Sequence, residues 1–254
     1  MATEFKRVPA IDKCFDILQL LAKTRKPMGI TDIANTLHYN KSTVFNLLHT
    51  LADRGILEHG PDNKFHFGAT LYLLGQAAGK RSELLQIVRP YLEEIKEKTG
   101  LSAFLGIRSG MRAVILDKAD SSSDVKVSSD VGMRLPLLAG AHGLALLCQL
   151  PDAEVEKIIA TNKLQRFTPY SCVDHDRYRD MVNEARKTGI AFSHEDYIEG
   201  IHALAVPIRT GRSDLQAAIW AVGLKKQVPE GALSEFSAIL KGIAANIEAR
   251  FRAR

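Results

Sequence analysis

The sequence predicts an α/β (α+β) chain in two parts: a small helical domain with a β-hairpin, then a larger domain of mixed helix and strand. Three observations carry that expectation. Between Gly29 and Leu57 two short amphipathic stripes flank a tight turn. From Leu71 to Gly100 a helical period runs on with a single proline, Pro90. Beyond Gly100, short apolar runs alternate with helical stripes. At 254 residues, 46% hydrophobic and 25% charged, the chain has room for one small domain and one of about 150 to 180 residues.

The first stripe is read as opening at Thr31, an N-cap residue followed by Asp32, with Ile33, Ala34 and Leu37 on one face. The turn His38-Tyr39-Asn40 supplies an apolar plug and a cap for the next helix. In that second helix Val44, Leu47, Leu48 and Leu51 fall at i, i+3, i+4 and i+7. The opposite face then carries Lys41, Ser42, Thr43, Phe45, Asn46 and His49, side chains able to hold phosphates, bond base edges or touch a thymine methyl. After Gly55, two strands around Gly60-Pro61-Asp62-Asn63 form a hairpin on which Lys64 and His66 reach outward. The outline is a winged helix-turn-helix over residues 1–70, and it makes double-stranded DNA the first expected partner. Residues 1–70 hold nine Lys and Arg against seven Asp and Glu, so placement matters more than the sum. Arg25 and Lys26 in the loop, Lys41 at the helix start and Lys64 on the hairpin stand where a duplex backbone would pass.

Residues 71–99 are expected as linker helices, with Leu84, Leu85, Val88, Leu92 and Ile95 in phase. Leu71-Tyr72-Leu73-Leu74 serves either as a dimer contact or as a dock for the first domain on the second. Residues 100–254 form the second domain. A hairpin of 102–108 and 112–118 is followed by helices from Gly140, Pro151 and Asp174, then strands at 190–194, 201–209 and 215–223. A helix from Pro229 to the end completes it. One antiparallel sheet flanked by helices, a sensor-like domain, is the economical assembly.

The longest apolar passage, Leu135 to Leu150, is broken by Gly140, His142, Gly143 and Gln149, and the N-terminus lacks the apolar core of a signal peptide. No membrane partner and a cytoplasmic location are expected. Three cysteines at wide spacings, Cys14, Cys148 and Cys172, argue against a disulfide framework. No cofactor, metal or catalytic group is expected. Cys148 sits in an apolar run, Cys172 has no patterned histidine, and His194-Glu195-Asp196 are adjacent residues that would point in different directions. The competing class is a metabolite-binding sensor or enzyme whose helix-turn-helix is only a docking module.

Several segments, in order and spacing along nearly the whole chain, resemble the isocitrate lyase regulator (IclR) family of bacterial transcription factors. They are the opening helix Ile11 to Leu21, Lys41-Ser-Thr-Val-Phe-Asn-Leu-Leu, Phe65-His-Phe-Gly, Gly132-Met-Arg-Leu-Pro-Leu, Ala141-His-Gly-Leu-Ala, Gly189-Ile-Ala-Phe-Ser-His-Glu and Glu199-Gly-Ile-His-Ala-Leu-Ala-Val-Pro-Ile. The resemblance implies a homodimer or homotetramer on a palindromic operator, and a GAF-like effector-binding domain that takes a small metabolite. A repressor of a catabolic operon is the expected role.

Departures from the family pattern are informative. Asn46 stands where the family usually has arginine, which favours adenine over guanine at that step. His142-Gly-Leu-Ala replaces Ser-Gly-Lys-Ala, and Ala203, Trp220 and Val222 replace a cysteine and two serines used for small oxo acids. On the strand 215–223, Gln216, Ala218, Trp220 and Val222 share one face; on 201–209, Ala203 and Ala205 do. Small side chains beside the only tryptophan leave either a slot for an aromatic or apolar organic acid or derivative, or a core filled by Trp220. Ala141 belongs to that wall, and Arg134, His142, Ser193 and His202 are the polar candidates to hold a carboxylate. His142 equally suits a helix cap.

Overall fold

The computed structural model describes residues 6–24, 26–80 and 83–253, with the backbone alone at residues 78–80. The chain divides into two compact units at Ser82/Glu83.

The first unit runs α1 (Pro9–Thr24), α2 (Ile30–Leu37), α3 (Lys41–Asp53), β1 (Leu57–His59), β2 (Phe65–Phe67) and α4 (Ala69–Lys80). Ile17, Leu21, Ile33, Ala34, Val44, Leu48, Leu57 and Phe65 close its core, so the stripe of α3 faces inward as its spacing requires. Ala34 is 3% exposed where α2 meets α3. Tyr39 plugs the corner half-buried and donates its hydroxyl to Asp16 at 2.5 Å. The N-cap of α2 lies two residues earlier than Thr31. Gly29, in extended conformation, is the N-cap, and Asn40 precedes α3 without a side-chain cap bond. The hairpin pairs Leu57 with Phe67 and His59 with Phe65, and Met28 bridges to Phe65. His38, Gly55 and Asn63, at φ of 55°, 65° and 57°, are left-handed at the end of α2, before the hairpin and in its turn.

The second unit is a six-stranded antiparallel sheet, β3 (Ser102–Ser109), β4 (Arg112–Ala119), β5 (Arg134–Pro136), β6 (Ala191–His194), β7 (Ile201–Ile208) and β8 (Ala217–Leu224), in the order β5-β4-β3-β8-β7-β6. On one face lie α5 (Glu83–Thr99) and α9 (Leu233–Arg252), sealed over Leu105, Leu204, Val206, Ile208 and Ile219. On the other lie α6 (Gly140–Leu147), α7 (Asp152–Thr161) and α8 (His175–Thr188), over Phe104, Ala113, Ile115, Ala205, Ala218 and Trp220. Helix α5 belongs to this unit, packing Leu84, Val88, Leu92 and Ile95 onto the sheet in the expected phase. Three residues of β5 are too short to show alternation, and the sequence did not mark them as a strand. The C-terminal helix starts at Leu233 rather than Pro229, after two single 3-10 turns.

Candidate effector cavity and nucleic-acid face

Two cross-strand rows build the wall of a cavity beneath α6. Ala205, Trp220 and Phe104 stand in register across β7, β8 and β3, and Ser193, Ala203 and Val222 across β6, β7 and β8. The Trp220 ring stacks on Phe104, with centroids 5.9 Å apart and planes at 18°. It lies against Gly106, where a Cβ would come within 2.5 Å of the indole. A bulge between Leu105 and Gly106 shifts the β3–β4 register beside that contact. The alanine at 203 leaves open the space that a larger residue would fill. The result is a cavity of about 100 Å³ lined by Phe104, Ile115, Leu135, Ala141, His142, Ser193, Ala203, Trp220 and Val222. Its more exposed lining residues are Val127, Ser129, Met133, Tyr197 and Ile198.

The N-terminus of α6 opens onto this cavity. Gly140, at φ 64°, starts the helix and donates its N–H to Asp196 Oδ2 at 3.2 Å. The next N–H groups, of Ala141 and His142, have no acceptor within the helix. Ser193 donates its hydroxyl to the other oxygen of Asp196. The segment bearing Asp196, Tyr197 and Ile198 is held from both sides: Thr168 donates to the carbonyl of Glu195 and Ser171 to that of Asp196, each at 2.7 Å. Glu195, at φ 65°, accepts from Gly200 N–H at 2.9 Å and pairs with Lys225 at 2.5 Å. These bonds hold its carboxyl below the ordinary range.

His142 is 6% exposed, and its Nε2 donates to the carbonyl of Pro136 at 3.0 Å. Its ring centroid is 5.6 Å from Trp220 and 6.0 Å from Tyr197. Burial pushes its pKa down to about 4, against a smaller upward pull from the Pro136 bond and Asp196, so the ring is neutral. His142 thus stays inside the first turn of α6 and lines the cavity. Trp220 answers both readings of the sequence, packing in the core at 3% exposure while turning a face to the cavity.

Six sequence-selected residues, Ala141, His142, Ser193, Ala203, Trp220 and Val222, come together here. Arg134 and His202 do not. Arg134 is exposed on β5, where Met133 and Leu135 take the cavity side. His202 alternates away from Ala203 to the opposite sheet face, where its Nδ1 lies 3.4 Å from the Val228 carbonyl and its ring meets His194 edge-on. His202 falls on the other parity of β7 from Ala203, whereas the three residues of β5 are too few for the sequence to show which side Arg134 takes. The sequence raises Asp196 only as a metal ligand and does not single out Tyr197, because both stand in an irregular turn with no period to place them at the cavity. Among the described residues no group of three or more His, Cys, Asp or Glu is placed to hold a metal. Burial raises the Cys148 thiol to about 11.

In the first unit, Lys41, Ser42, Phe45 and Asn46 are exposed along α3, with Thr43 and His49 half-buried beside them. The first turn of α3 holds no acidic residue. Lys26 is exposed in the loop before α2, whereas Arg25 lies outside the described residues. On the hairpin, Lys64 and His66 are solvent-facing but lie 3.4 Å from Asp62 and 3.5 Å from Glu58, so a phosphate would have to compete with those carboxylates.

Family comparison gives this arrangement its place. Residues 10–61 match the IclR helix-turn-helix domain, and residues 76–249 match the C-terminal domain of the bacterial transcriptional regulator IclR. The chain belongs to the IclR family. It is 30% identical over 231 residues to the HTH-type transcriptional regulator BhcR of Paracoccus denitrificans, covering 91% of this chain and 82% of that one. It is 29% identical over 215 residues to the HTH-type transcriptional repressor AllR of Klebsiella pneumoniae, covering 84% and 79%. The crystal structure of an IclR homolog from Microbacterium hydrocarbonoxydans, complexed with 4-hydroxybenzoate, superposes with a TM-score of 0.86 at 23% identity, over 96% of this chain and all of that one. This IclR-family chain is therefore a ligand-responsive, DNA-binding transcriptional regulator. No described helix is long and apolar enough to cross a membrane.

Proposed function

We propose that the chain represses a catabolic operon by binding a palindromic operator as a homodimer or homotetramer, and that a single-ring aromatic acid or close derivative relieves or alters that binding. The observation that carries the effector class is the cavity. Its body is apolar and aromatic, and its polar end is the start of α6, where Asp196 takes the Gly140 N–H and the next N–H groups, of Ala141 and His142, suit a ligand carboxylate. A volume of about 100 Å³ is comparable with the roughly 150 Å³ apolar cavity that admits benzene. It accommodates one ring rather than a fused system. Trp220 stacks on the ligand, Ala203 and Val222 form the floor, and Ser193 and His142 supply polar contacts. The homolog complexed with 4-hydroxybenzoate supports the class, and the AllR repressors support the sign.

Oligomerisation rests on the first unit. Helix α1 leaves Ile11 and Phe15 more than half exposed, as is Val8 just before it, and α4 does the same with Tyr72, Leu73 and Leu74. Two such apolar faces on so small a unit favour a second copy, which would present two α3 helices to successive major grooves. Lys41, Ser42, Thr43, Phe45, Asn46 and His49 then meet bases and flanking phosphates, with Arg25, Lys26, Lys64 and His66 on the backbone. The effector switches binding only by favouring one arrangement of the assembly over another.

The test is a mobility shift of the full-length protein on DNA from upstream of its own gene, at two salt concentrations and against a panel of aromatic and aliphatic acids. A shift that weakens steeply with salt and responds to a single-ring acid supports the reading. Response to an aliphatic acid alone would refute the effector class, and no shift on any duplex would return the chain to the sensor or enzyme class.

A further inference from the structure

We propose that Phe45 reads the 5-methyl group of one thymine in each half-site, making it a specificity-determining residue rather than part of the general DNA contact surface. The inference rests on α3 entering the major groove.

Phe45 is 49% exposed, yet all its neighbours on the outward face of α3, Lys41, Ser42, Asn46 and His49, are polar. The apolar residues of α1 and α4 form multi-residue faces of the kind a protein partner covers. A lone aromatic set among donors does not. It is also held in place. The His49 ring lies 4.2 Å from Phe45, and His49 stands edge-on to Phe65 at 5.6 Å and 88°. Phe65 is fully buried at the start of β2, and the His59 ring lies tilted beside it at 4.7 Å. The exposed ring is thus braced through His49 against the root of the hairpin, so little rotamer freedom remains to be lost on binding. In the major groove the one apolar group offered by a base edge is the thymine methyl, and an aromatic side chain is among those that contact it.

The experiment begins with duplexes selected from a random library by the full-length protein. The strongest site is then remade with deoxyuridine replacing each thymidine in turn, a change that deletes the methyl and nothing else. Dissociation constants are measured for the native chain and for Phe45→Ala, whose exposed position leaves the core untouched; circular dichroism and binding to unrelated duplex at low salt check that it is folded. One thymine per half-site should be sensitive, with the native chain weakened about fourfold by loss of each methyl, and Phe45→Ala should bind the two versions equally. If no position responds to uracil, or if the response persists in Phe45→Ala, the assignment is overturned. Failure to select any duplex would overturn the underlying DNA-binding reading as well.

Discussion

The two faces of the six-stranded sheet are made from the same strands, one residue apart, and they end up doing different things. On the face under α5 and α9, β7 contributes Leu204, Val206 and Ile208, and the layer is solid. On the face under α6, the same strand contributes Ala203 and Ala205, and β8 answers with Trp220 and Val222. The alternation therefore separates stability from recognition: one parity of β7 holds the domain together and the other leaves a space. A cavity of this kind is made by subtraction, through alanines placed where their neighbours carry branched chains.

The comparison can be broken most severely by moving α6. Gly143 brings that helix so close to the preceding segment that a Cβ would stand 2.0 Å from the carbonyl oxygen of Leu137. Alanine ordinarily favours a helix over glycine by about 1 kcal/mol. Here the backbone clash should reverse the sign, and Gly143→Ala should cost about 4 kcal/mol. Denaturant unfolding of the variant reads this directly; an unchanged or raised midpoint would show that α6 can shift without cost. Next in size is the solid face. Leu204 is fully buried, so Leu204→Ala should lose about 3 kcal/mol while leaving the affinity of a single-ring ligand within about twofold of native. Loss of affinity beyond that of the folded fraction would mean that the two faces are not separable.

A smaller effect distinguishes the faces by pH. The His142 pKa lies at about 4 in the folded chain because burial disfavours its charge, against about 6.5 when unfolded. Below pH 6.5 the unfolded chain takes up a proton that the folded chain refuses, so stability falls as pH drops from 6.5 toward 4 and is unaffected above that window. The full loss is about 3 kcal/mol, and about 2 kcal/mol should be visible by pH 5. His142→Gln keeps a donor for Pro136 and cannot ionise. The difference between native and variant in urea unfolding at pH 7.5 and pH 5 separates the effect of His142 from that of carboxylates that titrate in both. Parallel curves would place a solvated, ionisable imidazole in the cavity instead.

Which residues the sequence made legible follows from period. The inward stripe of α3 and its polar face could be assigned because an amphipathic helix states both at once. The alternation of β7 and β8 likewise identified Ala203, Trp220 and Val222. Arg134 and His202 lie outside the cavity lining: His202 follows the parity of β7 to the other sheet face, and the three residues of β5 leave no alternation from which the side of Arg134 could be read. Asp196, Tyr197 and Ile198 lie in a turn held by Thr168, Ser171 and Glu195, contacts distant in sequence that leave no periodic trace. Phe104 was within reach, since it pairs directly with Trp220 across β3 and β8, but the pairing requires the sheet order, which the sequence does not state.

The smallest structural change should sharpen the comparison most. Ala203→Val adds two methyl groups on the cavity side of β7, where a β-branched residue suits the strand and the neighbouring space is empty. Stability should change by less than about 1 kcal/mol, because the methyls gain contact without displacing packed atoms. Binding of a single-ring acid should nonetheless fall at least tenfold, since the added volume occupies the floor between Ser193 and Val222. The operator should be bound as tightly as by the native chain, and only the response to the ligand should disappear. The same Val substitution at Ala221, which is fully buried on the α5 and α9 side of β8, should destabilise by about 1 to 3 kcal/mol and leave the ligand response intact. If Ala203→Val destabilises as much as Ala221→Val, the space under α6 is packed in solution and the effector enters elsewhere. If Ala221→Val alone abolishes the response, recognition is carried through the solid face, and the division of labour between parities fails.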